Sequence, residues 1–160
     1  MANFWKELKP PFFILAPMED VTDTVFRQIV ASVGKPDVFI TEFVNVDAVI
    51  HGANQRLRFI EIERPIVAQI WGSDPEKFYK AAKIVKQLKF DGIDINLGCP
   101  VKKVMKTGTC AALIGQNKQV GEIIAAVSEV GLPVSTKTRI GIKKPVTEEW
   151  IGFLLTQNLA

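Results

Sequence analysis

The regular spacing of apolar, β-branched runs along the chain is the feature that most limits its fold. Five such runs begin at residues 11, 38, 65, 92 and 133, so successive starts lie 27, 27, 27 and 41 residues apart. Short runs that are apolar at nearly every position are typical of strands buried on both faces of a parallel sheet. Amphipathic helical patterns fill most of the intervals, and repeated strand–helix units predict an α/β fold.

Capping and breaking residues mark the ends of the predicted helices. Side chains that accept a hydrogen bond from the first turn are favoured at the N-terminus, and glycine is favoured after the C-terminus. The interval after the second run is the least regular and predicts a short helix with a loop. The predicted caps and first residues are Thr22 or Asp23, Asp74 followed by Pro75, Asn117 and Thr147. The first helix carries one apolar face, formed by Val25, Phe26, Ile29, Val30 and Val33.

Two α/β architectures fit this pattern of elements. One is an open, doubly wound sheet and the other is a (β/α)₈ barrel. A complete barrel typically has about 250 residues, so the 160 residues of this chain would hold only part of one. No G-x-G-x-x-G motif follows the first run, which counts against the dinucleotide-binding form of the open sheet. The periodicity alone leaves both architectures open.

Polar residues interrupt the apolar runs near the ends of the predicted strands, where ligands bind in both architectures. Side chains alternate along a strand, so Asp94 and Asn96 share the face opposite to their apolar neighbours in the fourth run. Ser135, Lys137 and Arg139 likewise share one face of the fifth run. These polar faces at successive strand ends predict a common site.

Three polar residues near the strand ends can each be explained in more than one way. A buried lysine is costly unless it is compensated, so Lys137 requires a ligand, a carboxylate partner such as Asp94 or Glu42, or water. Gln69, near the end of the third run, and Asn96 are equally well explained by ligand contacts or by hydrogen bonds to a neighbouring loop.

The cysteines and the charge exclude several classes of protein. Cys99 and Cys110 are the only cysteines, which favours a reducing compartment over a disulfide scaffold. With the single histidine, His51, they do not supply the four ligands of a structural zinc site. A net charge of +3 permits an anionic partner without requiring one. No run approaches the roughly 18 apolar residues of a membrane span, so we expect a cytoplasmic protein with no membrane partner.

Five lysines at intervals of three residues, from 77 to 89, fan around the polar side of one predicted helix. We interpret them as a solvated outer face. Cys110 lies among small residues and is interpreted as a structural thiol, whereas Cys99 ends an apolar strand in Gly-Cys-Pro. Cys99 is therefore either a packed thiol or a reactive group at the mouth of a pocket.

Four segments together resemble the tRNA-dihydrouridine synthase family. They are LAPMEDVTD at 15–23, PIVAQIWGSDPEKF at 65–78, GIDINLGCPVKKVMKTGTCAALIG at 92–115 and VSTKTRIG at 134–141. The third segment is the most specific, since APM and K-x-R-x-G patterns also occur in related flavin barrels. The resemblance extends from about residue 12 to residue 141 and implies an α/β fold of the TIM (β/α)₈-barrel type, with about five βα units present.

The resemblance implies an FMN-dependent oxidoreductase that reduces the C5=C6 bond of uridine in tRNA, with NADPH re-reducing the flavin. Cys99 is then the catalytic proton donor to C5, because a protonated thiol can act as a general acid. The residues implied to bind FMN are Pro17, Met18, Gln69, Asn96 and Lys137. Asn96 and Arg139 are implied to bind the target uracil.

By this resemblance, residues 1–160 form an incomplete FMN-binding barrel domain. The C-terminal barrel strands, with their glycine-rich loops for the FMN phosphate, and the helical tRNA-binding domain of the family are expected to lie outside them. We therefore expect an unpaired sheet edge, weak FMN affinity and poor activity from these residues alone. Two alternatives are an FMN-barrel reductase of a free small molecule, resembling dihydroorotate dehydrogenase, and a non-catalytic half-barrel.

Overall fold

The computed structural model describes residues 3–160, in which strands and helices alternate along the chain. The strands are β1 (Ile14–Leu15), β2 (Val38–Ile40), β3 (Val44–Asn45), β4 (Ile66–Trp71), β5 (Gly92–Leu97) and β6 (Val134–Thr138). The α-helices are α1 (Thr24–Gly34), α2 (Val46–Ile50), α3 (Pro75–Gln87), α4 (Lys102–Met105), α5 (Asn117–Ser128) and α6 (Thr147–Leu155). Short 3₁₀ helices occupy Phe4–Glu7, Gln55–Leu57, Glu61–Glu63 and Cys110–Leu113.

The strands form one parallel sheet in the order β1-β2-β4-β5-β6, with β3 also paired to β4. This order follows the chain, whereas a doubly wound sheet reverses its strand order at a switch point. The register places Gln69 opposite Asp94 and Asn96 opposite Lys137. The sheet is therefore the N-terminal part of a TIM-type barrel, which confirms the predicted fold class.

The main core lies between the sheet and the helices α3 and α5. Ile93, Ile95 and Leu97 of β5 are fully buried in it, as strand alternation predicts. Helix α3 contributes one apolar face to the same core, formed by Phe78, Ala81, Ala82 and Val85. Full burial of a large apolar side chain contributes about 1.5–3 kcal/mol, so this layer stabilises the packing of the helices on the sheet.

The caps of the helices agree with the sequence in most cases. Asp23 accepts a hydrogen bond from the backbone N–H of Phe26, and Asp74 caps α3 with Pro75 in its first turn. Asn117 was predicted as a cap but is the first residue of α5, and Gln116 occupies the cap position without a side-chain bond. No helix within residues 3–160 has the length and apolar character needed to cross a membrane.

Helix α1 differs from its predicted packing. Its outward apolar side chains, Val25, Ile29 and Val33, are exposed, and Val33 is 87% exposed. The buried residue of α1 is Arg27. Its guanidinium pairs with Glu63 and donates to the carbonyl oxygens of Thr22 (2.6 Å) and Arg58 (2.7 Å). The helix therefore docks on the protein through a polar contact as well as through its apolar side.

A β-bulge interrupts the second strand between β2 and β3. Ile40 lies opposite Val67 and Val44 lies opposite Ile70, so three residues face two on β4. An extra residue of this kind changes the direction in which nearby side chains point. Here it places the buried carboxylate of Glu42 at the same end of the sheet as the predicted site.

Candidate active site at the carboxyl ends of the strands

A chain of buried polar side chains crosses the three central strands. Ser135 donates a hydrogen bond to one oxygen of Asp94 (2.7 Å), and the amide of Gln69 donates to the other (2.6 Å). The side-chain amide nitrogen of Asn96 in turn donates to the side-chain amide oxygen of Gln69 (3.0 Å). Because each buried group has a partner, the network avoids the cost of unsatisfied polar atoms and holds β4, β5 and β6 in register.

Asn96 also shapes the loop that follows β5. Its side-chain oxygen accepts hydrogen bonds from the backbone N–H groups of Gly98 (3.0 Å) and Cys99 (3.1 Å). Arg139, directly after the neighbouring strand β6, donates to the carbonyl oxygen of Gly98 (2.7 Å). A side-chain amide that bonds its own backbone two residues on is a common turn device. The loop that carries Cys99 is thus held from both sides.

The two cysteines differ in their surroundings. Cys99 is half-buried, whereas Cys110 is buried, and burial raises the pKa of the Cys110 thiol to about 12. The adjacent backbone N–H of Ala111 donates to the carbonyl oxygen of Cys99 (3.3 Å). This environment supports a structural role for Cys110 and leaves Cys99 as the more accessible thiol. Within residues 3–160, no group of three or more His, Cys, Asp or Glu side chains is placed to hold a metal ion.

A cavity of about 440 Å³ opens on the inner face of the sheet. Lys137 lies in its wall and is exposed, and no ion pair involving it occurs within residues 3–160. Of the alternatives predicted for Lys137, a carboxylate partner within 4.0 Å is therefore not found in this part of the chain. The cavity is lined by Trp5, Phe12, Ile14, Ala16, Pro17, Ile40, Asp94, Ser135, Thr136, Lys137 and Ala160.

The remaining predicted site residues lie around this cavity at different depths. Pro17 lines it, and Met18, in the loop after β1, is 45% exposed. Gln69 is fully buried behind the inner surface, with both of its amide atoms already bonded within the network. Asn96 and Cys99 come together with Arg139 around the loop after β5. Two groupings result, one at the cavity and one at this loop, and they meet where Asn96 pairs with Lys137 across the strands.

Sequence reasoning missed a charged cluster that holds the loop after β1. Glu42 accepts hydrogen bonds from the backbone N–H of Asp20 (2.7 Å) and from Arg56 (3.0 Å). Arg56 also pairs with Asp20 (2.8 Å) and with Glu19 (3.5 Å). The break in the apolar run at Thr41 and Glu42 was the only local signal of the bulge that makes this contact. The cluster positions the segment that carries Pro17 and Met18.

Asp94 is expected to make stability depend on pH. Burial raises its pKa to about 6 from an ordinary value of 3.8, against the opposing hydrogen bonds from Ser135 and Gln69 and the charge of Lys137. The folded state then binds the proton more tightly than the unfolded state. The stability gained from protonated Asp94 is fully present below about pH 4 and is lost as pH rises through about 6. The free energy of unfolding changes by up to about 3 kcal/mol over this range.

This dependence is measured by urea unfolding between pH 4 and pH 8 in the wild type and in Asp94→Asn, which has no carboxyl group to titrate there. The free energy of unfolding of the wild type, relative to the variant, should fall across this range. A difference between the two proteins that stays constant with pH would show that Asp94 does not titrate as described.

Replacement of Asn96 by alanine is expected to free the loop that carries Cys99. The substitution leaves the backbone N–H groups of Gly98 and Cys99 and the side-chain amide oxygen of Gln69 without their partner. The expected loss in the free energy of unfolding is about 1–3 kcal/mol. Hydrogen exchange should accelerate at Cys99, with α3 as the internal reference. Exchange at Cys99 that matches the wild type would show that the loop does not depend on Asn96.

The sheet order and the polar network together define the N-terminal part of a TIM-barrel-type protein with its polar site at the carboxyl ends of the strands. The family model described as dihydrouridine synthase matches residues 14–153. The chain therefore belongs to the dihydrouridine synthase family, and the resemblance seen in the sequence is confirmed.

Curated relatives share this similarity along almost the whole chain. One is the probable tRNA-dihydrouridine synthase 2 of Bacillus subtilis (strain 168), 48% identical over 99% of this chain and 50% of the relative. Probable tRNA-dihydrouridine synthases of Staphylococcus aureus (strain COL) and Staphylococcus epidermidis are 46% and 45% identical, with the same coverage. The chain thus spans about half the length of the curated relatives it matches.

Proposed function

We propose that this chain provides the N-terminal half of the catalytic barrel of a flavin-dependent tRNA-dihydrouridine synthase. The reaction would add a hydride to C6 and a proton to C5 of a uridine in tRNA, so that the C5=C6 double bond becomes a single bond. The proposal rests on family membership together with one observation. Asn96 and Arg139 hold the loop after β5 so that the half-buried Cys99 stands at the carboxyl edge of the sheet.

The residues at the inner cavity fit one part of an FMN molecule. Phe12, Ile14 and Pro17 offer apolar surface to a flat ring, and Lys137 places an exposed cation in the same wall. A lysine beside the polar edge of a flavin stabilises negative charge there. When bound, the flavin would supply the hydride. With Met18 on the adjacent loop, and with Gln69 and Asn96 behind the wall, these are the residues that we propose hold it.

Cys99 would supply the proton. Addition of hydride at C6 leaves negative charge at C5 and O4 of the uracil, so an acid must reach C5. A thiol that stands at the carboxyl edge and carries its proton can do this, and the backbone bonds from Asn96 would keep it in position. Arg139, directly after the neighbouring strand β6, would hold the uracil beside it.

The proposed substrate and reductant follow from the family rather than from the cavity. The target base must leave its stack to meet a flat cofactor, which fits an unpaired uridine in a tRNA loop. We propose NADPH as the source of electrons for the flavin and the cytoplasm as the place of reaction. The domain that would choose the tRNA position is proposed to lie outside residues 1–160.

The test uses the 160-residue chain alone and the joined protein, in which residues 1–160 are followed by the C-terminal half of the Bacillus subtilis relative. Each is purified, its flavin content is measured by absorbance, and dihydrouridine is measured in tRNA from cells that lack their own synthases. We expect weak flavin binding and little activity from the chain alone, and both flavin and dihydrouridine from the joined protein.

Two other results would contradict the proposal. A joined protein that binds flavin and reduces a free pyrimidine but not tRNA would be a small-molecule reductase. A joined protein that folds, binds no flavin and forms no dihydrouridine would favour a non-catalytic half-barrel. Stoichiometric flavin on the isolated 160-residue chain would show that the second half of the barrel is not needed for binding.

A further inference from the structure

Two loops at the carboxyl edge of the sheet carry a concentration of positive charge. The segment after β5 contains Lys102 and Lys103 in the short helix α4 and Lys106 directly after it, and the loop after β6 contains Lys143 and Lys144. All five side chains are exposed, and no carboxylate occurs in residues 98–109 or 139–146. We call these five lysines the basic rim.

The basic rim lies at the same edge of the sheet as the proposed reaction site rather than on a remote face. Leu97 and Thr138, the last residues of β5 and β6, are paired, so both loops leave adjacent strands at the same edge. Arg139 connects the loops through its bond to the carbonyl oxygen of Gly98. The second loop is closed by a bond from the N–H of Val146 to the carbonyl oxygen of Ile140 (2.7 Å), which presents the two lysines at its tip.

The rim lysines differ from the lysines of α3 in their partners. Lys77 pairs with Asp47 (2.8 Å), Lys80 pairs with Glu76 (2.7 Å), and Lys86 donates to the carbonyl oxygen of Val130 (2.6 Å). Within residues 3–160, no rim lysine has a carboxylate within 4.0 Å. The nearest acids along the chain, at 148 and 149, lie in the first turn of α6, where the helix dipole favours negative charge.

The rim accounts for the whole positive surplus of the protein. The chain has 20 basic and 17 acidic residues, for a net charge of +3. Six of the basic residues are the rim lysines and Arg139, so the remaining 14 face 17 acidic residues, a net charge of −3. Arg27, Glu42, Glu63 and Asp94 are buried, so the surface outside the rim and Arg139 carries 13 basic and 14 acidic residues and is close to neutral. One cationic edge on such a surface attracts a polyanion to that edge.

We propose that the basic rim binds the backbone phosphates of the tRNA strand on either side of the uridine presented to Cys99. This inference rests on the proposed function for its choice of partner, because exposed cations beside a base-binding site suit a nucleic-acid strand. The rim would position the strand without reading its sequence. Part of the affinity for tRNA would therefore lie within residues 1–160.

The test measures the affinity of the 160-residue chain for an unmodified tRNA by filter binding at several potassium chloride concentrations. The triple variant K102Q/K103Q/K106Q is compared with K80Q/K83Q/K118Q, which removes the same charge from exposed positions on the outer helices. Each phosphate contact contributes about 0.7–0.9 to the slope of log affinity against log salt. The rim variant should lose about 2 from that slope and bind about tenfold more weakly at low salt, and the control should change less than about twofold.

Several outcomes would overturn the inference. Two of them concern the variants: an equal loss of affinity for tRNA in the rim and control variants, or an unchanged salt slope in the rim variant. The other two concern the wild type: no measurable binding of tRNA, or competition by polyglutamate as effective as that by tRNA at equal charge. Far-ultraviolet circular dichroism checks that each variant is folded. If the triple variant fails to fold, K143Q/K144Q on the other loop takes its place, with an expected slope loss of about 1 to 2.

The proposal for the basic rim and the proposed function are tested by different measurements. The binding assay requires neither flavin nor turnover, so it tests the rim alone. Dihydrouridine formation by the joined protein tests the proposed function. An active joined protein whose isolated N-terminal half binds tRNA equally well with and without the rim lysines would reject the rim only.

Discussion

Replacement of Cys99 by alanine in the joined protein is expected to lower dihydrouridine formation by about 10²–10⁴-fold while flavin content stays unchanged. Loss of a general acid typically costs this much, because the proton must then come from water. The side chain is half-buried and its backbone N–H is held by Asn96, so removal of the sulfur should disturb the loop little. The measurement is dihydrouridine per tRNA under single-turnover conditions, with flavin absorbance recorded on the same sample.

The matched control is Cys110→Ala, since Cys110 is the other thiol, lies against the same loop and is buried. It should lower thermal stability but leave activity within a few fold of the wild type. Unchanged activity in Cys99→Ala would reject the acid role. Equal losses of activity in the two variants would instead point to damage to the loop as a whole.

Removal of one partner of the buried Arg27–Glu63 pair is expected to cause the largest loss of stability. Both side chains are fully buried, and Glu63 also accepts hydrogen bonds from Thr24 (2.6 Å) and from the backbone N–H of Ile60 (2.9 Å). Arg27→Met leaves a buried carboxylate without its cation, which typically costs about 3–5 kcal/mol. The free energy of unfolding of the 160-residue chain in urea measures this loss.

Lys80→Met serves as the control, because Lys80 pairs with Glu76 on the exposed side of α3. Exposed pairs of this kind contribute at most about 1 kcal/mol. The double variant R27M/E63M should be more stable than Arg27→Met alone, since no unpaired charge then remains buried. A cost for Arg27→Met no greater than that for Lys80→Met would mean that the pair does not stabilise α1 in solution.

Much of the fold was predictable because it depends on local periodicity. Alternation along the fourth apolar run correctly separated Asp94 from its apolar neighbours, since Ile93, Ile95 and Leu97 are buried in the core and Asp94 lines the inner cavity. A strand exposes successive side chains to opposite faces, so the pattern of apolar residues directly reports which face is buried. Asp74 and the proline after it marked the start of α3 for a similar reason, since capping needs only residues within one turn.

The relative placement of the candidate site residues was predictable from the sequence, but their hydrogen bonds were not. The sequence indicated that Gln69, Asn96 and Lys137 lie near each other at strand ends, and the register confirms that placement. It left open whether the two amides contact a ligand or a loop. The structure shows that Asn96 bonds the backbone of its own loop and that Gln69 joins Asp94 to Asn96.

The amino-acid sequence by itself determined the family, the strand–helix order and the buried face of most elements, because these depend on residues close together along the chain. Only the tertiary structure decided that Arg27 is buried against Glu63, that a bulge brings Glu42 to Arg56 and that Lys137 is exposed. It also decided that three of the apolar side chains of α1, Val25, Ile29 and Val33, are exposed. These features depend on how segments far apart in the sequence align, and one residue of added or lost register changes the partner of every side chain.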